Sequence, residues 1–140
     1  MAIHFTIHPS ARLVTYAVEG TATHDDAREF LDAVLAHPNF ERGFAFLGDR
    51  RGPSGEPDMA YVRAVANEVR ARASRLAPCR WAIALSTAGG FGAVRMCNLL
   101  TLESGVEMAP FMTPAQAVEW LGAGLVASRE THLVQYQTAD

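Results

Sequence analysis

Two short stretches hold the residues best suited to chemistry. The first is Gly48-Asp49-Arg50-Arg51-Gly52 with the polar loop through Ser54 to Glu56; the second is Ser86-Thr87-Ala88-Gly89-Gly90-Phe91-Gly92, with Arg95 one helical turn on. Arg50 or Arg51 could fork onto a carboxylate or phosphate. The backbone amides of Gly89, Gly90 and Phe91, at a helix start, could hold an oxyanion. Together these residues describe a crevice for a small apolar, amphipathic or anionic ligand. The same residues also suit a plainer arrangement, in which Asp49 pairs with an arginine to tie down its loop and the glycines only shape a turn. Arg95 stands between pointing back at an anion and pairing with Glu103 or reaching water.

Asp49 and Ser86 also define an alternative, a small hydrolase acting on a phosphate- or ester-bearing substrate. Against it, Gly-x-Ser-x-Gly is absent and no histidine is placed to activate Ser86 or Thr87, whose hydroxyls suit a helix cap. Gly89-Gly90-Phe91-Gly92 lacks the Gly-x-Gly-x-x-Gly spacing of a dinucleotide site. His4 and His8 share a strand face but lie about 13 Å apart, and His24, His37 and His132 fall in separate loops or ends, so no metal is predicted. Cys79 and Cys97 form no Cys-x-x-Cys pair, and Cys97 sits in a helical apolar stripe, as a core residue does. All twelve basic residues are arginine, which excludes a Schiff-base lysine, a pyridoxal-phosphate lysine and the P-loop lysine. No cofactor and no catalytic residue are assigned.

The elements that must position these residues follow from periodicity. Trp81 to Leu85 are all apolar, the pattern of a strand covered on both faces, and are expected at the sheet centre. Ile3, Phe5 and Ile7 alternate with polar residues, Pro9-Ser10-Ala11 turn the chain, and Leu13 to Val18 complete an antiparallel hairpin. Thr23 caps a first helix that stops at His37-Pro38. Phe44 to Leu47 read as a buried strand. Pro57 suits the first turn of a second helix, with Met59, Val62, Val65, Ala66, Val69, Ala73 and Leu76 inward. Arg63, Arg70, Arg72 and Arg75 lie off that stripe and with Arg80 make a local basic strip, either a solvated face balanced by Glu68 or a docking face for anionic lipid or a partner.

Ser86 to Gly90 are expected to turn, leading a third helix with Phe91, Val94, Cys97 and Leu100 inward and Gly105 as terminator. Val106 to Met112 is a peripheral strand, since Pro110 cannot donate to a ladder. Thr113-Pro114-Ala115-Gln116 is a capping box opening a last helix that ends at Gly122. Residues 123–140 carry one strand-like patch, Leu133 to Tyr136, as an added edge strand or a tail.

The order β-β-α-β-α-β-α-β-α predicts a single-domain α/β fold, a mostly parallel mixed sheet with an N-terminal antiparallel hairpin and helices covering it. A length of 140 residues fits one domain, here 1–122, with 123–140 as an appendage. The net charge of −3 argues against nucleic acid as a partner, and no apolar stretch is long enough for a transmembrane segment. The N-terminus has no signal-peptide pattern, which predicts a cytoplasmic location.

With these elements placed, the chain resembles the SpoIIAA-like family, small bacterial domains of the STAS/SEC14-like fold. The likeness is carried by HPNFERGFAFLGDRRG (37–52), FGAVRM (91–96) and AVEWLG (117–122) in that order. The resemblance implies a non-enzymatic regulatory or ligand-binding module, with a small molecule or lipid as ligand, peripheral membrane association, or a protein partner or homodimer. STAS antagonists carry a phosphorylated serine after the third strand. Ser54 is the nearest serine here, but GPSGEP departs from the Asp-Ser-Ser-Gly pattern, as Gly48-Asp49-Arg50-Arg51 departs from Asp-Leu-Arg.

Overall fold

The computed structural model describes residues 2–52 and 57–122; Ser54 and the patch Leu133 to Tyr136 lie outside the described residues. Five strands, β1 (Ile3–His8), β2 (Leu13–Val18), β3 (Ala45–Asp49), β4 (Cys79–Ala84) and β5 (Val106–Phe111), form one sheet in the order β1-β2-β3-β4-β5. β1 and β2 are antiparallel, and the remaining pairs are parallel. The helices are α1 (His24–Ala36), α2 (Met59–Ala71), the single turn α3 (Ala73–Leu76), α4 (Ala88–Thr101) and α5 (Pro114–Leu121).

Because strand order follows chain order, crossovers of one hand carry α1, α2 and α4 to the same face of the sheet. Their buried residues, among them Phe30, Val62 and Val94, share one core with Tyr16, Phe46 and Trp81. The other face is smaller: Leu13, Leu47 and Ala82 pack under Ala117 and Val118 of α5. β4 is therefore covered on both faces as its composition requires, but β3 is the central strand. A wholly apolar run reports only that a strand is interior; its place in the order is set by the connections. Among the described strands β5 is at the edge, where the missing N–H of Pro110 is harmless.

Three boundaries differ from expectation. β3 runs on through Gly48 and Asp49, which are strand residues rather than loop. α2 begins at Met59, because Asp58 is the N-cap and accepts from the Tyr61 amide at 2.8 Å, leaving Pro57 outside. The helix then breaks at Arg72. The expected turn Ser86–Gly90 shrinks to Ser86 and Thr87, with all three glycines of the stretch inside α4.

Thr23 and Asp26 form a complete capping box. That of α5 is offset: Thr113 accepts from the Gln116 amide, but the Gln116 side chain accepts from Met112 N–H, one residue early.

The expected arginine strip is largely spent on joining helices. Arg70 donates to Leu100 O at 2.7 Å, Arg75 to Leu35 O at 3.1 Å and Arg80 to Trp120 O at 2.6 Å. Arg72 links Asp32 of α1 to Glu68 of α2, and Glu68 also meets His24 at 2.6 Å. Hydrogen bonds from Arg72 and His24 hold the Glu68 carboxyl below its usual range. Among the described residues, Arg63 alone of that group has no such partner.

Candidate ligand-binding site

Strand alternation decides which side chains face the three-helix side. From β3 these are Phe46, Gly48 and, just past the strand end, Arg50; Leu47 and Asp49 face the side of α5. In register, Tyr16 of β2 pairs with Gly48 and Gly48 with Ile83 of β4, while Phe46 pairs with Trp81. Gly48 therefore leaves a gap in the middle strand, and the Tyr16 ring leans across it. A Cβ at position 48 would lie 2.3 Å from Tyr16 Cζ and 2.4 Å from its Oη.

Having crossed β3, the Tyr16 oxygen accepts a hydrogen bond from Trp81 Nε1 at 2.8 Å. The Trp81 ring stacks on Phe46 with centroids 4.3 Å apart and planes 13° off parallel, and Phe30 of α1 packs on Tyr16 at 4.8 Å. A buried tryptophan and a buried tyrosine each require a polar partner, and here each serves the other. Burial raises the Tyr16 pKa well above its ordinary value, although the Trp81 hydrogen bond and the charge of Arg50 pull it the other way. The hydroxyl is a neutral donor at any physiological pH.

Above this aromatic floor, under α1, α2 and α4, lies a narrow apolar cavity of about 80 Å³. A single water needs roughly 10–15 Å³ by the same kind of measure, so the space exceeds a packing defect. Val94 and Cys97 of α4 and Met108 of β5 also line it; among the described residues Arg50 is the one charged residue lining it. Arg50 also borders a second, more polar cavity of about 230 Å³ with Thr23, Asp58 and Tyr61. The Arg50 guanidinium lies over the Tyr61 ring, 5.7 Å from its centroid. That pair, with Pro57, lines both cavities.

The two sequence stretches do meet: Ser86 Oγ donates to Arg51 O at 3.4 Å, and Arg50 N–H donates to Ala84 O at 2.9 Å. The side chains of the first stretch nevertheless separate. Asp49 takes a forked pair of bonds from Arg51, at 3.0 and 2.9 Å, on the sheet face away from the cavity. Burial alone would raise the Asp49 carboxyl, but the hydrogen bonds and charge of Arg51 outweigh it and hold it below the usual range.

In the second stretch Thr87 caps α4. Its Oγ1 accepts from Gly90 N–H at 3.0 Å and its carbonyl from Phe91 N–H at 3.1 Å, so two of the three amides considered for an oxyanion are already bonded. Gly90 is needed for close packing, since a Cβ there would lie 2.8 Å from Leu85 Cδ2. Gly89 and Gly92 are exposed, and Arg95 is exposed with its guanidinium 5.9 Å from the Phe91 ring centroid. Of the eleven sequence candidates, Arg50 and Gly90 line the apolar cavity. Sequence reasoning missed Tyr16, Gly48 and Trp81 as a unit. The available signal was a glycine inside a buried strand, beside strands that each carry a polar-tipped aromatic.

Among the described residues no three or more histidine, cysteine or acidic side chains gather as a metal would require, and no helix is long and apolar enough to cross a membrane. No family model and no curated protein matches the chain. Among solved structures it is similar to a crystal structure, at 2.25 Å resolution, of an uncharacterised protein of the DUF3478 family with a SpoIIAA-like fold from Shewanella loihica PV-4. The two share 18% identity with a TM-score of 0.59, over 86% of this chain and 94% of the other. This chain therefore has a SpoIIAA-like fold.

Proposed function

We propose that the protein is a non-enzymatic ligand-binding module that takes a small apolar or amphipathic molecule into the chamber between the sheet and α1, α2 and α4. The chamber itself supports this reading: its wall is apolar, its floor is fixed by the Tyr16–Trp81 bond, and its mouth carries Arg50. The site lies at the carboxyl ends of the parallel strands, where open α/β sheets bind their ligands. Trp81 forms part of the wall, so occupancy alters its emission. In a Trp120→Phe background, titration with a panel of apolar and amphipathic compounds is expected to give a saturable change. Ala93→Phe, which fills the chamber, is expected to abolish it while far-ultraviolet circular dichroism stays unchanged. A panel without any saturable change, or full binding by a folded Ala93→Phe protein, overturns the reading.

A second reading, peripheral association with an anionic membrane, has support from the outer face of α4. Leu99, one turn after the exposed Arg95, is 70% exposed, and Leu102, just past the helix end, is 49% exposed. Apolar groups beside cations suit a lipid surface. Sedimentation with phosphatidylserine vesicles at low salt is the test; a Leu99→Glu variant that pellets as wild type removes this reading.

A further inference from the structure

The chamber holds two hydrogen-bond donors without matching acceptors. Tyr16 is 7% exposed, and its oxygen receives the Trp81 N–H, yet its own proton has no acceptor among the described residues. A hydroxyl that accepts one bond is polarised toward donating another. Arg50 is half-buried, stacks on Tyr61, and forms no ion pair with any described residue. The other arginine of that corner, Arg51, is already paired with Asp49 on the opposite face. The Tyr16 ring lies over Gly48, and Arg50 follows two residues later on the same face, about 6.6 Å along an extended strand. Both side chains line the apolar space, and the charge of Arg50 is felt at the Tyr16 hydroxyl.

From this we infer that the chamber's ligand is a short monocarboxylic acid, its carboxylate between the Tyr16 hydroxyl and the Arg50 guanidinium and its apolar tail against Val94, Cys97 and Met108. The inference rests on the reading of the chamber as a ligand site. A carboxylate is an acceptor-only group and satisfies both donors without bringing a donor of its own. Its transfer from water is offset by a charge-assisted bond to a guanidinium that remains half in solvent. An amine would set a second cation beside Arg50, and a bare hydrocarbon would leave both donors unmet. A cavity of about 80 Å³, several times the roughly 10–15 Å³ that is the least space for one water, limits the tail to a short one.

The test uses three six-carbon probes on the full chain at neutral pH: hexanoate, hexan-1-ol and hexylamine, titrated by calorimetry. Hexanoate is expected to bind at least about tenfold more tightly than hexan-1-ol, with hexylamine weakest. Arg50→Gln, at the chamber mouth, is expected to lower hexanoate affinity about tenfold and to affect hexan-1-ol, which offers only a neutral acceptor, much less. Tyr16→Phe is expected to do the same, and Arg50→Gln carries the test if loss of the Trp81 partner unfolds that variant. Equal affinity for hexanoate and hexan-1-ol, or an Arg50→Gln protein that still prefers the acid, overturns the carboxylate assignment and leaves the chamber standing. Failure of all three probes refutes this inference, and failure of the broader panel as well refutes the chamber reading.

Discussion

Replacing Gly48 by alanine is expected to be far more damaging than the addition of one methyl group suggests. The new Cβ would lie 2.3 Å from Tyr16 Cζ, 2.4 Å from Oη and 2.7 Å from Cε2, where real Cβ atoms essentially never approach within 3.0 Å. Phe30 packs on the ring at 4.8 Å and Trp81 meets it edge-on at 6.1 Å, so relief of the clash requires the ring to shift into the chamber it lines. Overpacking of this kind costs about 1–3 kcal/mol. Displacing the phenol also breaks the bond to Trp81 Nε1 and leaves a buried donor unsatisfied, roughly another 1–3 kcal/mol. The sum, on the order of 2–6 kcal/mol, is a large share of a typical domain's stability. Urea unfolding followed by Trp81 emission reads it as a lower midpoint at unchanged slope. The cause is separable from any general effect of alanine in a strand. In a Tyr16→Val background the ring is gone, so adding Gly48→Ala is expected to cost about 0.5 kcal/mol or less, a strong departure from additivity. A single variant as stable as wild type, or equal costs in both backgrounds, refutes the proposed contact.

Three further outcomes follow from the same contacts. Burial pushes the Cys79 thiol up to about 12 and the Cys97 thiol up to about 11, so both are expected to resist iodoacetamide at pH 8 and to react only on unfolding; rapid native labelling would contradict this. Because the folded Asp49 carboxyl is held below its unfolded value, its contribution is present above the unfolded value of about 3.9 and lost as pH falls toward the folded one. Asp49→Asn is accordingly expected to destabilise at pH 7 and to approach wild type as pH falls below about 3.9, as read from urea midpoints, and a constant gap would contradict the ion pair. Thr23→Ala removes an N-cap that accepts from Asp26 N–H at 3.1 Å and is expected to cost about 0.5–2 kcal/mol in the same assay. No loss would mean that the α1 cap does not contribute to stability.

Much of the fold was legible because its signals are local. The apolar run through Trp81 to Leu85 reports a strand interior to the sheet, Pro110 reports an edge, and Thr23 and Thr113 report helix starts; each needs only a few neighbouring residues. Gly89 and Gly90 misled for the same reason. A glycine pair reads as a turn, and only the packing of Gly90 on Leu85, with the Thr87 cap, shows why it belongs in a helix. The sheet-centre expectation failed because composition distinguishes interior strands from edge strands but does not order the interior ones. The chamber was least legible, since no local stretch contains it: Tyr16, Gly48 and Trp81 are brought together only by the register of three strands.

That register also accounts for why there is a chamber at all. Sequential strand order with crossovers of one hand loads three helices on one face and, among the described residues, leaves α5 alone on the other. A face so heavily covered would ordinarily fill with large side chains, as it does around Phe30, Phe46 and Trp81. At Gly48, Gly90 and Ala93 the chain instead supplies little or no side chain between the layers. Tyr16 takes the space over Gly48 and brings a hydroxyl to mid-sheet. Arg50 closes the open end, and what lies between them is apolar. Packing alone would be better served by a phenylalanine at 16 and an uncharged residue at 50, since each polar tip in this face must be offset by a partner. Trp81 satisfies the Tyr16 oxygen but not its proton, and Tyr61 gives the Arg50 guanidinium a ring face but no counter-charge. The arrangement is thus incomplete as a core, and the carboxylate proposed above would supply the acceptor that both polar tips lack.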